Sequence, residues 1–239
     1  MELDKSSFLY WYPKIEGHIL TPKSIIVHFT SEHERKILMG DHYLLHQVCE
    51  AVIGGLQLRS IEFPVFMKTD TYSAKWYWSD TCFVESRETL ERNILNLLAQ
   101  NQEDDQRPVH ALIFREYIHP DTKLCAFNGM PIPKERRYFV RGKDVESYHP
   151  YWDEESIEFF VGEPPKNWKK LLRELNTDTD RDRLYLECAA RAFAELVCDK
   201  EDYFSIDFMK GAADGEWYLI DCAEGDKSYC RDRLTEADE

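Results

Sequence analysis

Ile25, Val27 and Phe29 recur at every second position and predict a strand over 24–29, after which Thr30 or Ser31 offers a cap to a helix beginning EHERKIL. Leu44, Val48 and Val52 are spaced by four and predict a helical face over 41–53, ended by Gly54-Gly55. Phe63 to Lys68 reads as a short buried strand, TDTYSAK as a polar turn, and 81–85 as a second strand. Ser86 then caps a helix whose apolar stripe is Leu90, Ile94, Leu97 and Leu98. After the solvated stretch NQEDDQRP come strands over 109–118, 138–141 and 145–152. A short helix opened by Pro164-Pro165 carries Trp168, Leu171, Leu172 and Leu175, and NTDTDRD, with no apolar residue, reads as a linker. A helix over 183–198 packs Tyr185, Ala189, Ala192 and Leu196 on one side. Two strands over 203–209 and 216–222, joined by KGAADG, form a closing hairpin, and RDRLTEADE reads as a frayed tail.

Composition narrows the class. A chain of 239 residues with 43% hydrophobic and 13% aromatic residues is globular, as one large domain or two small lobes sharing a cleft. No run approaches the roughly 18 apolar residues of a membrane span, and MELDKSSFLYW lacks a signal core, so a cytoplasmic protein with no membrane partner is expected. Seven cysteines form no CxxC pair, which argues against both a zinc site and a disulfide framework. A net charge of −15 opposes indiscriminate binding to nucleic acid, yet Lys134, Arg136, Arg137, Arg141 and Lys143 concentrate positive charge in ten positions.

The closing hairpin carries the chemistry. FSIDFM and YLIDCA each surround one acid, Asp207 or Asp221, with apolar residues, and a bare carboxylate there is costly unless something positive compensates it. Two acids on adjacent strands, with Glu224 and Asp226 just beyond, suit Mg²⁺ completed by phosphate oxygens. Lys68 ends the apolar strand IEFPVFMK, so its ammonium either snorkels out or meets an anion such as a phosphate; Ser73 and Lys75 in the next turn would close over the same phosphates as a mobile lid. His42, His46 and Glu50 share a helix face but lack a fourth ligand, and Trp76, Tyr77 and Trp78 read as core and lid packing.

Lys68 at a strand end, then FREYI, ERRYFV, SIDFM and YLIDCAEGD, in that order, resemble the ATP-grasp superfamily over roughly 63–226. That resemblance implies an α+β fold of two lobes with ATP in the cleft between them. It implies an N-terminal α/β segment over 1–62, a small lobe with the phosphate-side lysine and lid over 63–108, and a C-terminal lobe over 109–230, ahead of the tail 231–239. By the same resemblance Lys68 contacts phosphates, Glu116, Tyr117 and Ile118 hold adenine, and Arg137 stabilises charge on the transferred group. Glu135 would bond ribose or orient Arg137, and Asp207 and Asp221 would hold Mg²⁺. The family's next metal ligand, usually Asn, falls on Ala223, so Glu224 or Asp226 would substitute.

Within the superfamily, PVFMKTDTYSAKWYW and ERRYFV are similar to segments of the chaperones that assemble a translation initiation factor and of small proteins proposed to be RNA-repair ligases. Two functions follow as expectations. One is an ATP- and Mg²⁺-dependent ligase that activates an acceptor by phosphoryl or nucleotidyl transfer, with RNA landing on Lys134, Arg136, Arg141 and Lys143, and with Lys68 or Lys75 as the bearer of any covalent nucleotidyl intermediate. The other is an ATP-loaded assembly chaperone for a protein partner, with little or no turnover.

Overall fold

The computed structural model describes residues 4–159 and 162–230; the tail expected to fray lies outside the described residues. The chain opens on a helix that the apolar pattern does not predict, α1 (Phe8–Ile15). Ser7 caps it by accepting from the Leu9 N–H, and Phe8, Trp11, Tyr12 and Ile15 share one buried face. Its aromatic residues and Pro13 are poor helix formers, so burial of that face sustains it.

Strand β1 (Ser24–His28) and helices α2 (Ser31–Leu38) and α3 (His42–Arg59) come next. Helix α3 runs through Gly54-Gly55, where the pattern predicts its end. A Cβ on Gly55 would stand 2.9 Å from Ile25 Cδ1, so this glycine admits close packing of α3 on β1. The helix stops instead at Ser60, which is left-handed at φ 53°. His42, His46 and Glu50 face outward, and Glu50 accepts from Arg87 at 2.6 Å. Beyond them lie β2 (Val65–Thr69), a 3₁₀ helix over Lys75–Asp80, β3 (Phe83–Val84), α4 (Arg87–Gln100) and β4 (Ala111–Glu116).

These strands form one antiparallel sheet in the order β1-β4-β2-β3. Its inner strand β4 comes from the stretch expected in the C-terminal lobe, while β1 comes from the N-terminal segment. Hydrogen bonds from β4 to both β1 and β2 therefore join chain regions that boundaries at 62 and 108 would separate. Helices α2, α3 and α4 close the core on this sheet.

A small ribbon, β5 (Cys125–Ala126) with β6 (Met130–Pro131), leads to β7 (Glu135–Arg141) and β8 (Asp144–Pro150), then α5 (Trp168–Leu175), α6 (Asp180–Val197), β9 (Tyr203–Lys210) and β10 (Trp217–Glu224). The second sheet is antiparallel, ordered β10-β9-β7-β8. Helices α1 and α6 pack on it, and their core also takes in Ala111 and Ile113 of β4, so one core reaches both sheets. NTDTDRD is the start of α6 rather than a linker. Its polar side chains are spent on backbone donors: Thr179 accepts from the Asp182 N–H at 3.1 Å, and Asp182 accepts from the Thr179 N–H at 3.2 Å.

Candidate functional site

Register builds the charged end of the site. Asp221 lies directly opposite Asp207, Asp207 opposite Arg137, and Arg137 opposite His149, so four side chains stand in one row across the four strands of the second sheet. Arg137 grips Asp207 with two parallel bonds, Nε to Oδ1 and Nη2 to Oδ2, both 2.8 Å. Lys68 arrives from β2 of the other sheet and donates to Asp221 Oδ1 at 2.7 Å. The ammonium expected to face an anion therefore meets a carboxylate, and the side chain of Lys68 is only 4% exposed while that of Asp221 is 41% exposed toward the cleft. His149 Nδ1 donates to the Pro150 carbonyl at 2.7 Å.

Arg115 is the residue that the motifs missed. It sits in the buried run ALIFRE of β4, the same apolar-strand signal that singles out Asp207 and Asp221. Its guanidinium donates to Ser24 Oγ at 3.3 Å, to the Leu219 carbonyl at 3.3 Å and to the Ile220 carbonyl, and so ties β4 to β10 where the register shifts just before Asp221. Burial brings its pKa down to about 10 in spite of Asp221 nearby.

The neighbouring ionisations follow from burial set against partners. For Asp221 burial works upward, but Lys68 outweighs it and leaves the carboxyl below its ordinary value. For Arg137 burial works downward, and the embrace of Asp207 leaves it above its ordinary value. Burial pushes Glu135 up to about 7 against the pull of Lys75, while its carboxylate accepts from Trp152 Nε1 at 2.9 Å.

These groups end a cleft of about 790 Å³ between the sheets. Lys68, Ser73, Lys75, Glu116, Tyr117, Ile118, Glu135, Asp207 and Asp221 all line it, and Phe66, Trp78, Met130, Met209 and Ile220 make the rest of its wall apolar. Tyr117 belongs to an aromatic cluster with Trp78 and Phe83. One end is thus suited to a base and the other to phosphates. The turn expected to form a lid is pinned: Ala74 is buried and left-handed at φ 47°, its carbonyl accepts from Thr81 Oγ1 at 2.8 Å, and Lys75 opens the 3₁₀ helix.

Two expected site residues lie elsewhere. Arg137 stands behind Asp207 and does not line the cleft. Glu224 is three positions beyond Asp221 and so falls on the other face of β10, where it pairs with Lys227 at 2.9 Å and borders a separate concavity with Asp226. Neither acid takes the place of Asn at Ala223, whose register partner is Ser205. Among the described residues no group of three or more His, Cys, Asp or Glu is arranged for a metal. Two adjacent carboxylates nonetheless fit Mg²⁺, which takes one or two protein carboxylates together with substrate phosphates.

The basic concentration is not a free face. Arg136 is fully buried and donates to Asp178 at 2.8 and 2.6 Å, and Lys134 lies 3.6 Å from Asp178 and 3.5 Å from Asp182. Arg141 donates to Glu146 at 2.6 Å. Lys143 caps the end of α6 through the carbonyls of Ala194, Glu195 and Cys198 at 3.0–3.1 Å. Clustering along the chain becomes dispersal in space, because alternate residues of β7 point to opposite faces of the sheet.

Two antiparallel sheets facing each other across a cleft, with a lysine from one and two acids from a hairpin of the other, define an ATP-grasp protein. Residues 54–238 match the model of an ATP-grasp domain, the third family of its clade, and the chain belongs to that family. Domains of this kind bind ATP, typically with Mg²⁺. Among solved structures the chain is similar to Cdc123 from Schizosaccharomyces pombe, at 14% identity and a TM-score of 0.59 over 99% of this chain and 94% of that one. It is also similar to D-alanine–D-alanine ligase from Bacillus anthracis complexed with ATP, at 11% identity and a TM-score of 0.50 over 98% of this chain and 59% of that one. A RimK domain ATP-grasp protein from Sphaerobacter thermophilus aligns at 12% identity and a TM-score of 0.49, over 97% of this chain but only 62% of that one. At such identities the likeness is one of fold. No curated protein sequence matches the chain.

Proposed function

We propose that the chain is an ATP- and Mg²⁺-dependent ligase of the ATP-grasp type. The observation that carries this reading is the meeting of Lys68 with Asp221 beside Asp207, at the charged end of a cleft that is otherwise apolar. Tyr117, Met209 and Ile220 offer the base an apolar wall, and Glu116 to Ile118 edge it with backbone. Lys68, Ser73 and Lys75 would receive the triphosphate. Asp207 and Asp221 would hold Mg²⁺, which supplies charge neutralisation at the phosphate oxygens. Arg137 keeps Asp207 ionised and aimed, and Arg115 and Lys68 do the same for Asp221. Catalysis of this kind is mostly positioning and electrostatic stabilisation. The acceptor is activated by phosphoryl or nucleotidyl transfer. RNA as acceptor draws no support from Lys134, Arg136, Arg141 or Lys143, which are engaged within the fold.

A second reading, an ATP-binding assembly protein for a protein partner with little or no turnover, is favoured by Ala223, which has no oxygen to offer a second metal. For either reading a cytoplasmic setting agrees with seven free cysteines, and no helix among the described residues is long and apolar enough to cross a membrane.

Calorimetry with ATP, with and without Mg²⁺, tests the site: Asp207→Asn and Asp221→Asn should each abolish the part of the affinity that depends on Mg²⁺. Equal ATP affinity in wild type and both variants refutes it. Product analysis then separates the readings. ADP and phosphate report phosphoryl transfer, AMP and pyrophosphate report nucleotidyl transfer, and tight binding without products reports the assembly role.

A further inference from the structure

Tyr151 lies just past the end of β8, and its N–H donates to the Glu135 carbonyl at 3.1 Å, which fixes the ring beside the charged row. Two cations from different parts of the chain meet this ring. Lys75 Nζ is 4.0 Å from its centroid and also donates to the Tyr151 hydroxyl, and the guanidinium carbon of Arg137 is 4.5 Å from the same centroid. Two like charges gathered on one aromatic ring repel each other, and the arrangement is stable because the ring's negative face and the carboxylates of Asp207 and Glu135 lie beside them. Lys75 keeps its proton in this setting: burial works against the charge, but Tyr151 and Glu135 outweigh it and hold the ammonium above its ordinary value. The left-handed backbone at Ala74 delivers Lys75 to this place.

We propose that Tyr151 is a positioning residue for nucleotide, a strut whose ring sets Lys75 and Arg137 as one unit against the phosphate end of the cleft. The inference rests on the nucleotide-binding reading of the site and deepens it. Lys75 lines the cleft whereas Tyr151 does not, so the tyrosine acts through the lysine on one side and through Arg137 and Asp207 on the other. A purely structural tyrosine would influence folding and leave nucleotide affinity alone.

The test is calorimetry of Mg²⁺ with ATP on the full chain, with folding checked by circular dichroism. Tyr151→Leu removes the ring and should weaken binding about tenfold, the scale of two cation–ring contacts, whereas Tyr151→Phe keeps the ring and should lose about threefold. In a Lys75→Met background the further loss from Tyr151→Leu should shrink to about threefold, because one of its two routes of action is already gone. Unchanged affinity in a folded Tyr151→Leu, or the same factor lost in both backgrounds, overturns the proposal. Should Tyr151→Leu not fold, Tyr151→Phe decides: its threefold loss must vanish in the Lys75→Met background, and persistence overturns the proposal. A wild type that binds no ATP refutes the nucleotide reading beneath it, whereas normal wild-type binding with unaltered variants refutes the strut alone.

Discussion

A carboxyl group inside a sheet either keeps its charge beside a cation or keeps its proton, and this site contains both outcomes. Asp207 and Asp221 each have a cation within 2.8 Å. Glu135 has Trp152 as its hydrogen-bond donor, and burial raises it from 4.5 to about 7. A group raised in the fold binds a proton that the unfolded chain has already released, so its contribution to stability falls as pH rises from 4.5 to about 7. Glu135→Gln removes this dependence. Its melting temperature relative to wild type should rise steadily across that interval, and parallel curves for the two proteins would refute the assignment.

Helix α6 depends on its first turn. Asp182 closes the capping box and also accepts from Lys210 at 2.7 Å and from Trp217 Nε1 at 2.8 Å, which fastens the helix to both strands of the closing hairpin. Asp182→Ala removes the cap and strands two donors, so a loss of about 2–4 kcal/mol is expected from urea unfolding. Thr179→Ala removes the cap alone and should cost about 1 kcal/mol. Equal costs for the two would mean that the contacts with Lys210 and Trp217 contribute nothing.

The two sheets are held to each other at the site itself. Arg115 bonds Ser24 on its own sheet and the carbonyls of Leu219 and Ile220 on the other, and Lys68 reaches Asp221 across the same gap. Arg115→Met fills similar space and leaves those carbonyls without their donor. It should cost about 2–4 kcal/mol and speed hydrogen exchange in β4 and β10 together, more than in β8. Acceleration confined to β4 would show that Arg115 supports its own sheet and no more.

Apolar periodicity, turn chemistry and solitary charges are local properties, and what depended on them could be read from the chain alone. The strand that carries Lys68, the hairpin that carries Asp207 and Asp221, and the stripe of α4 follow from side chains that must hide from water or that cannot be buried unaccompanied. The order of those charges sufficed to mark the ATP-grasp resemblance. Partnership between distant residues is not local, and only the tertiary structure decided it. The pattern that marks Lys68 as needing an anion cannot name Asp221, 153 positions away. Crowding of Lys134 to Lys143 in sequence says nothing of the faces of β7 or of the acids and helix end that engage them. Gly54-Gly55 reads as a stop until β1 lies against it, Phe8 to Ile15 reads as nothing until a core covers it, and Arg115 looks like one more strand residue until a second sheet brings carbonyls to its guanidinium.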